Sequence, residues 1–411
     1  MTQPGPSRVA TRWAVRIIPC FIVAAFAFAK YAVIAHLCAS LPAPVDFLYR
    51  QHHERGLAIA LIVLYLVFFL LALAAYVRTV YTTQTNPGLV PWSERRQRVH
   101  NERKALPHKE REDLESQSWS TPDLSPDSPG LESFYTKTMF ICEPDGRPRW
   151  CSLCWSWKPD RSHHSSELGR CVRKMDHLCP WVGGMVSETS FNFFAQFTYW
   201  VSMYLSVCVA TAGYCLHKQI QASDPLDWRV VVILALSGLF GLFAFGMSMT
   251  STRYIVENIT NIDVFKRRAV HYIAIRVPRG TPSTASYQTV TFPLPGPPGT
   301  EPHSPANGFT PSSRDRQAVR TFAIVKTEPG ENPFDLGYWR NFKSVMGNNI
   351  FEWLLPIKYS PCCNHDNPEG FYEFGWLIEE LKERHGLPQG HRRRHSRAGE
   401  VEMVERRPSR H

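Results

Sequence analysis

The chain has 411 residues, room for two or three domains, with a formal net charge of +10 and a mean hydropathy of −0.24. The average is that of a soluble protein, but the apolar residues are gathered into four blocks and the rest is rich in Pro, Ser, Arg and His. That clustering excludes a wholly soluble chain, and no nucleic-acid partner is expected.

Residues 1–16 form a short basic lead. The first apolar block, 17–39, contains Lys30, which is expected to snorkel or face a helix bundle. It is too long for the apolar region of a signal peptide, and no small-residue cleavage site follows it. Leu57 to Tyr76 is an unbroken apolar run, and as a helix it crosses a hydrocarbon core of about 30 Å. Residues 77–149 read as a linker, with a turn at Thr85-Asn86-Pro87-Gly88 and a charged stretch after it. A cysteine-rich segment occupies 150–190.

The third block, 191–215, is apolar and aromatic, with Asn192 and Gln196 in its first turns. The fourth, 230–249, carries Gly238, Gly241 and Gly246, which allow close packing in lipid. Residues 250–276 are a juxtamembrane segment. Pro, Ser, Thr and Gly dominate 277–316, which is expected to be disordered. Order is expected to return in a C-terminal segment, 317–385, where aromatics between Asn332 and Phe342 suit an interface. A basic tail, 386–411, either touches anionic lipid or is solvated.

Arg8, Arg12 and Arg16 precede the first block, Arg78, Arg95, Arg96 and Arg98 follow the second, and Arg253, Lys266, Arg267 and Arg268 follow the fourth. The positive-inside rule then places both termini and the cysteine-rich segment in the cytosol. That compartment is reducing, so its cysteines are expected as metal ligands or reactive thiols and not as disulfides.

Cys151 and Cys154 form a C-x2-C knuckle, and Cys171 follows at loop spacing, with His163 and His164 between. Three thiolates and one imidazole satisfy tetrahedral structural zinc, and either histidine could reach it. With four ligands in place, no position remains for a catalytic water. Further on, Asp176-His177-Leu178-Cys179 sets a thiol two residues from a base and a carboxylate beside that base. Arg170, Arg173 and Lys174 favour its thiolate. From the residues alone, Cys179 is either a nucleophile able to attack a thioester or a further metal ligand.

This segment resembles the cysteine-rich domain of the DHHC protein S-acyltransferases, or palmitoyltransferases. The likeness runs through Lys158-Pro159, Arg161-Ser162-His163-His164, Arg170-Cys171-Val172, Met175-Asp176-His177 and Cys179-Pro180-Trp181-Val182-Gly183. Asn86-Pro87-Gly88 resembles the family's Asp-Pro-Gly motif, Thr260-Asn261-Ile262-Asp263 its Thr-Thr-x-Glu motif, and Asn332 to Gly347, with Asn341, its aromatic-asparagine motif. The resemblance implies zinc on Cys151, Cys154, His164 and Cys171. It also implies a two-step reaction in which Cys179 takes the acyl group from palmitoyl-CoA and a substrate cysteine takes it from Cys179. His177 would be the base, and Asp176 would fix its tautomer.

The tetrad here has Leu178 in place of the second histidine. In the family that histidine binds a second zinc with three cysteines, whose positions here are Ser165, Leu168 and Met185. One zinc is therefore expected, with Leu168, Leu178 and Met185 packed as an apolar substitute for the second. Cys362 and Cys363 are vicinal, and stand as either acylation sites or a free structural pair.

The expected architecture is an all-α integral membrane protein, with four spans and the zinc domain between spans two and three. The expected function is palmitoyl transfer to cysteines of membrane-associated proteins, with the site facing the cytosol at an endomembrane or the plasma membrane. The competing readings are a non-catalytic membrane scaffold and a membrane-anchored zinc-finger ubiquitin ligase. The latter needs eight interleaved ligands, which the segment does not supply.

Overall fold

The computed structural model describes residues 17–18, 55–105, 120–122, 128–292 and 319–387. The expected N-terminal lead, nearly all of the first span (17–39), residues 293–316 and the basic tail beyond 387 lie outside the described residues. Three helices are long and apolar enough to cross a membrane: α1 (Arg55–Thr85), α3 (Phe191–Ala222) and α4 (Trp228–Val256). Between α1 and α3 lie a short polar helix, α2 (Glu94–Ala105), and the cysteine-rich segment.

Helix α3 packs against both α1 and α4 and is the most buried of the three. Side chains such as Leu70, Leu239, Leu242 and Phe245 stay exposed on α1 and α4, as lipid-facing surfaces require. All three helices outrun the sequence-derived spans. At 31 residues, α1 is about 46 Å long at 1.5 Å per residue, well beyond a hydrocarbon core of about 30 Å. Its surplus is the end carrying Thr79, Thr82 and Thr83, all buried. The end of α1, the start of α3 and the end of α4 all connect to the cysteine-rich segment or the residues beside it, so these three ends lie on one side.

The all-α expectation needs correcting. A four-stranded antiparallel sheet joins β1 (Met139–Cys142), β8 (Tyr272–Val277), β10 (Arg320–Lys326) and β9 (Gln288–Phe292) in that order. Phe140, Phe292 and Phe322 meet edge to face at its core with centroids 5.4–5.9 Å apart. Strand β1 lies in the expected 77–149 linker and β9 in the expected disordered 277–316 stretch. Both form because a few alternating apolar residues, such as Val290 and Phe292, bury against partners remote in sequence, which outweighs local polar composition.

The cysteine-rich segment is three two-stranded hairpins: β2 (Trp150–Cys151) with β3 (Ser156–Trp157), β4 (His163–Ser165) with β5 (Arg170–Val172), and β6 (His177–Cys179) with β7 (Gly184–Val186). Isolated hairpins this short are unstable in water, so tertiary contacts must hold them. After α4 comes a one-turn helix, α5 (Asn261–Phe265). Past the sheet, α6 (Tyr338–Met346) lies on α3 and α4.

Candidate active site and metal centre

The first two hairpins bring Cys151, Cys154, His164 and Cys171 together, with every ligand atom within 4.8 Å of the others. His164 Nδ1 is 3.5 Å from Cys151 Sγ, 3.3 Å from Cys154 Sγ and 4.0 Å from Cys171 Sγ. The register explains the pairing, since His164 and Cys171 are direct cross-strand partners. This group could hold a metal ion, and among the described residues it is the one cluster of that kind. His163, adjacent on the strand, points to the other face and lines a cavity with Arg149 and Lys266. All three cysteines are buried beside Val90.

The positions of the absent second set are built differently from the expectation. Leu178 and Met185 are cross-strand partners in the β6–β7 hairpin, and Met185 is buried. Leu168, however, is 38 % exposed and does not join them. Ser165 Oγ accepts the Leu168 N–H at 3.2 Å and donates to Glu167 Oε2 at 3.2 Å, closing the β4–β5 turn with side-chain bonds.

Hairpin β6–β7 carries the Asp-His-Leu-Cys run. His177 Nδ1 and Asp176 Oδ2 are 2.6 Å apart. Asp176 Oδ1 accepts the backbone N–H of Asn261 at 2.8 Å, so both carboxylate oxygens are engaged. The His177 ring meets Phe194 edge to face at 5.3 Å. Burial alone would lower the imidazole pKa. The hydrogen bonds with Asp176 and Cys179 outweigh it and push the pKa up to about 10. Cys179 is buried in an apolar cluster with Ala75 and Tyr76 of α1 and Phe194 and Phe197 of α3. The site thus has a thiol, a base in reach of it and a carboxylate orienting the base, packed against two membrane-length helices.

The surplus end of α1 latches this hairpin. Tyr76 Oη donates to Trp181 O at 3.2 Å, Thr83 Oγ1 to Val182 O at 3.3 Å, and Gln84 Nε2 to Gly183 O. A Cβ on Gly184 would lie 2.7 Å from Thr83 Cβ, so helix and hairpin approach as closely as glycine permits. The turn after α1 grips the other side. Ser187 Oγ donates to Pro87 O at 3.0 Å, Thr189 Oγ1 to Asn86 O at 2.6 Å, and the Arg173 N–H to Gly88 O at 2.8 Å. Gly88 sits at φ +72° with no room for a Cβ against Ser187 Oγ.

Thr260 and Asp263 form a reciprocal capping box on α5. Arg161 clamps that helix, donating to Asp263 Oδ2 at 2.7 Å, Asn258 Oδ1 at 2.8 Å and Asn258 O at 2.9 Å. The Arg161 charge and hydrogen bond overcome the opposing effect of burial and hold the Asp263 carboxyl below its usual range. Asn341, fully buried, donates to Val256 O and Asp335 Oδ1 at 2.7 Å each and accepts the Leu336 N–H at 2.9 Å. It fastens the C-terminal segment to the end of α4.

The structure brings the seven expected residues into two groups, Cys151, Cys154, His164 and Cys171 in one and Asp176, His177 and Cys179 in the other, but the contacts that hold them are not legible in the sequence. The roles of Tyr76, Thr83, Gln84 and the Asn261 N–H were not anticipated. Polar residues crowded at one end of an apolar helix were the available signal for Thr83 and Gln84. A backbone N–H leaves none.

A family profile described as DHHC palmitoyltransferase matches residues 145–268. The chain is 38 % identical to palmitoyltransferase pfa5 of Aspergillus fumigatus, over 90 % of this chain and 90 % of that protein. It is 34 % identical to palmitoyltransferase pfa5 of Emericella nidulans, over 90 % of this chain and 86 % of that protein. It is 26 % identical to palmitoyltransferase PFA5 of Candida glabrata, over 87 % of this chain and 82 % of that protein.

Proposed function

The chain belongs to the DHHC palmitoyltransferase family, and from that premise we propose that it carries out protein S-palmitoyl transfer through a thioester on Cys179. The observation that carries this reading is the alignment of Asp176, His177 and Cys179 against the apolar faces of α1 and α3. The Cys179 thiolate, with the proton already held on the His177 imidazolium, attacks the thioester carbonyl of palmitoyl-CoA. The carbon–sulfur bond to CoA breaks, and the departing thiolate takes the proton from the imidazolium. In the second step a substrate cysteine, deprotonated by the same His177, attacks the acyl-enzyme and frees Cys179. Asp176 holds the ring with one nitrogen towards the thiol and stabilises its charged form.

Burying an acyl chain between α1 and α3 contributes about 0.8 kcal/mol per methylene, a reason for the nucleophile to sit where the helices leave the membrane. A cavity of about 310 Å³ with Arg149, Lys266 and Arg267 on its wall offers cations to the donor's anionic nucleotide end, while Glu257, Asp263, Glu331 and Asp335 also line it.

The metal is read as one structural zinc on Cys151, Cys154, His164 and Cys171. Zn–S of about 2.3 Å and Zn–N of about 2.0–2.1 Å in a tetrahedron put sulfur and nitrogen about 3.5 Å apart. The shorter two of the three observed separations, 3.3 and 3.5 Å, match that edge. Zinc supplies folding energy to hairpins too short to persist alone. The substrates are read as cysteine-bearing, membrane-associated proteins. The site is read as facing the cytosol, at an endomembrane or the plasma membrane, on the placement of basic residues around the spans.

The test is self-acylation of the purified protein in detergent with a palmitoyl-CoA analogue. A hydroxylamine-labile label that disappears in Cys179→Ser is expected. A label that persists in Cys179→Ser would place the nucleophile elsewhere.

A further inference from the structure

A second thiol environment lies outside the acyl-transfer site. The turn Pro361–Cys363 sets two vicinal cysteines in opposite settings. Cys363 Sγ donates to Glu188 O at 3.2 Å. Cys362 Sγ lies 3.9 Å from Lys174 Nζ and lines a cavity of about 420 Å³. Lys174 is only 8 % exposed, and its other partner is a neutral oxygen, Asn258 Oδ1 at 3.0 Å, which it shares with Arg161. Among the described residues no carboxylate lies within ion-pair distance of it. Burial pushes the Lys174 pKa down, and a thiolate on Cys362 opposes that by supplying a counter-charge.

The neighbouring Cys363 thiol and the charges of Lys174 and Arg161 outweigh burial and the repulsion of Glu188, and so hold the Cys362 thiol below its ordinary range. The cavity beyond it is basic, with Leu336, Phe371 and Tyr372 among its walls. Arg161 and Lys343 face it, Asn348 and Asn364 line it, and its carboxylate, Glu373, is paired with Arg340. The cations among these walls suit a small anion beside the thiol.

We propose that Cys362 is a thiol-exchange site for an anionic low-molecular-weight disulfide of the oxidised-glutathione class. The Cys362 thiolate attacks one sulfur of the disulfide, the sulfur–sulfur bond breaks, and the released thiolate takes a proton from solvent. One mixed disulfide and one free thiol result, with no other oxidant needed. A carboxylate of the half retained on Cys362 meets Lys343, while Lys174, 3.9 Å from the attacking sulfur, supplies its counter-charge.

The test uses the full chain in detergent micelles, reduced beforehand and then exposed at neutral pH to oxidised glutathione, with adducts located by peptide mass spectrometry. Oxidised glutathione is expected on Cys362. The adduct should be lost in Cys362→Ser and retained in Cys179→Ser. Lys343→Gln, which leaves the buried lysine in place, should slow its formation about tenfold, the scale of a lost charge contact in a basic cleft. The neutral bis(2-hydroxyethyl) disulfide should react more slowly than glutathione. An adduct preferring Cys363 or Cys179, or a neutral disulfide reacting as fast as oxidised glutathione, would overturn the proposal. The readout is thiol exchange and not acyl transfer, so it is independent of the role assigned to Cys179.

Discussion

The backbone N–H of Asn261 donates to Asp176 Oδ1 at 2.8 Å, and through that carboxylate a helix beyond the last span orients the imidazole of His177. Asn261 is the first residue of α5, where a proline is tolerated because the N–H there has no intrahelical partner. Thr260 before it is extended, at φ −118° and ψ 167°, as a residue preceding proline must be. Asn261→Pro should therefore keep the helix while deleting the bond to Asp176. A hydrogen bond to a charged group contributes about 1.5–3 kcal/mol, so self-acylation should slow about tenfold or more. Asn261→Ala, which keeps the N–H, should stay near the parent rate. Equal losses in both variants would show that the Asn261 side chain matters instead.

Removing the carboxylate charge should cost more. Asp176→Asn retains the volume but no longer stabilises the imidazolium, and an acid–base contribution of about 10²–10⁴-fold is at stake. A single-turnover measurement of thioester formation, with zinc content confirmed, reads this loss directly. A rate within a few-fold of the parent would remove Asp176 from the mechanism.

The same pair sets a pH window for stability. His177 has an ordinary pKa near 6.5 and is raised to about 10 in the folded protein, so the fold binds its proton more tightly than the unfolded chain does. The resulting stabilisation is complete below about 6.5 and is lost as pH rises through about 10. Thermal midpoints measured across this interval should fall with rising pH in the parent, and the fall should be shallower in Asp176→Asn. Parallel curves would contradict the assignment.

Gly184 tests the latch between α1 and the reactive hairpin. Its missing Cβ would lie 2.7 Å from Thr83 Cβ, and neither partner can yield without moving backbone. Gly184→Ala should destabilise by about 1–3 kcal/mol, as overpacking does. Displacing Cys179 by even 1 Å can cost about 10²-fold in rate. The expected signature is slow self-acylation in a protein that keeps its zinc, since the four proposed ligands lie on the other two hairpins. Loss of zinc instead would mean that the hairpins fold as one unit.

The metal set was legible in the sequence because ligand chemistry dictates residue type, and the short spacings left few ways to combine Cys151, Cys154 and Cys171. The choice between His163 and His164 was not, because it depends on which face of β4 meets β5. In the structure it is His164, the cross-strand partner of Cys171, that lies with the three thiols. The sheet was hidden for a different reason. Its strands are drawn from 139–142, 272–277, 288–292 and 320–326, so no local window contains a pair, and β10 is buried along nearly its whole length without alternation. Asp160 and Arg161 fell inside the quoted motif. Their duties, Asp160 Oδ1 accepting the Ile141 N–H at 2.8 Å and Arg161 clamping Asn258 and Asp263, reach across segments far apart in the chain.

The proposed single zinc gives a stoichiometry that can be tested against how Ser165, Leu168, Leu178 and Met185 are arranged. Where a metal would tie the β4–β5 turn to the β6–β7 hairpin, Ser165 caps the turn by itself, and the backbone pairing of Leu178 with Met185 closes the hairpin by itself. Leu168, 38 % exposed, bridges nothing. The link between the two hairpins passes instead through Asn86-Pro87-Gly88, whose carbonyls accept from Thr189, Ser187 and Arg173. Atomic emission on the purified protein should therefore find one zinc per chain, falling to near zero in Cys154→Ala with loss of the folded domain. Ser187→Ala should leave the zinc in place while loosening the reactive hairpin, seen as faster amide exchange across 177–186. Two equivalents of zinc in the parent would mean that residues other than Ser165, Leu168, Leu178 and Met185 build a second centre, and the self-closing account of these hairpins would be wrong.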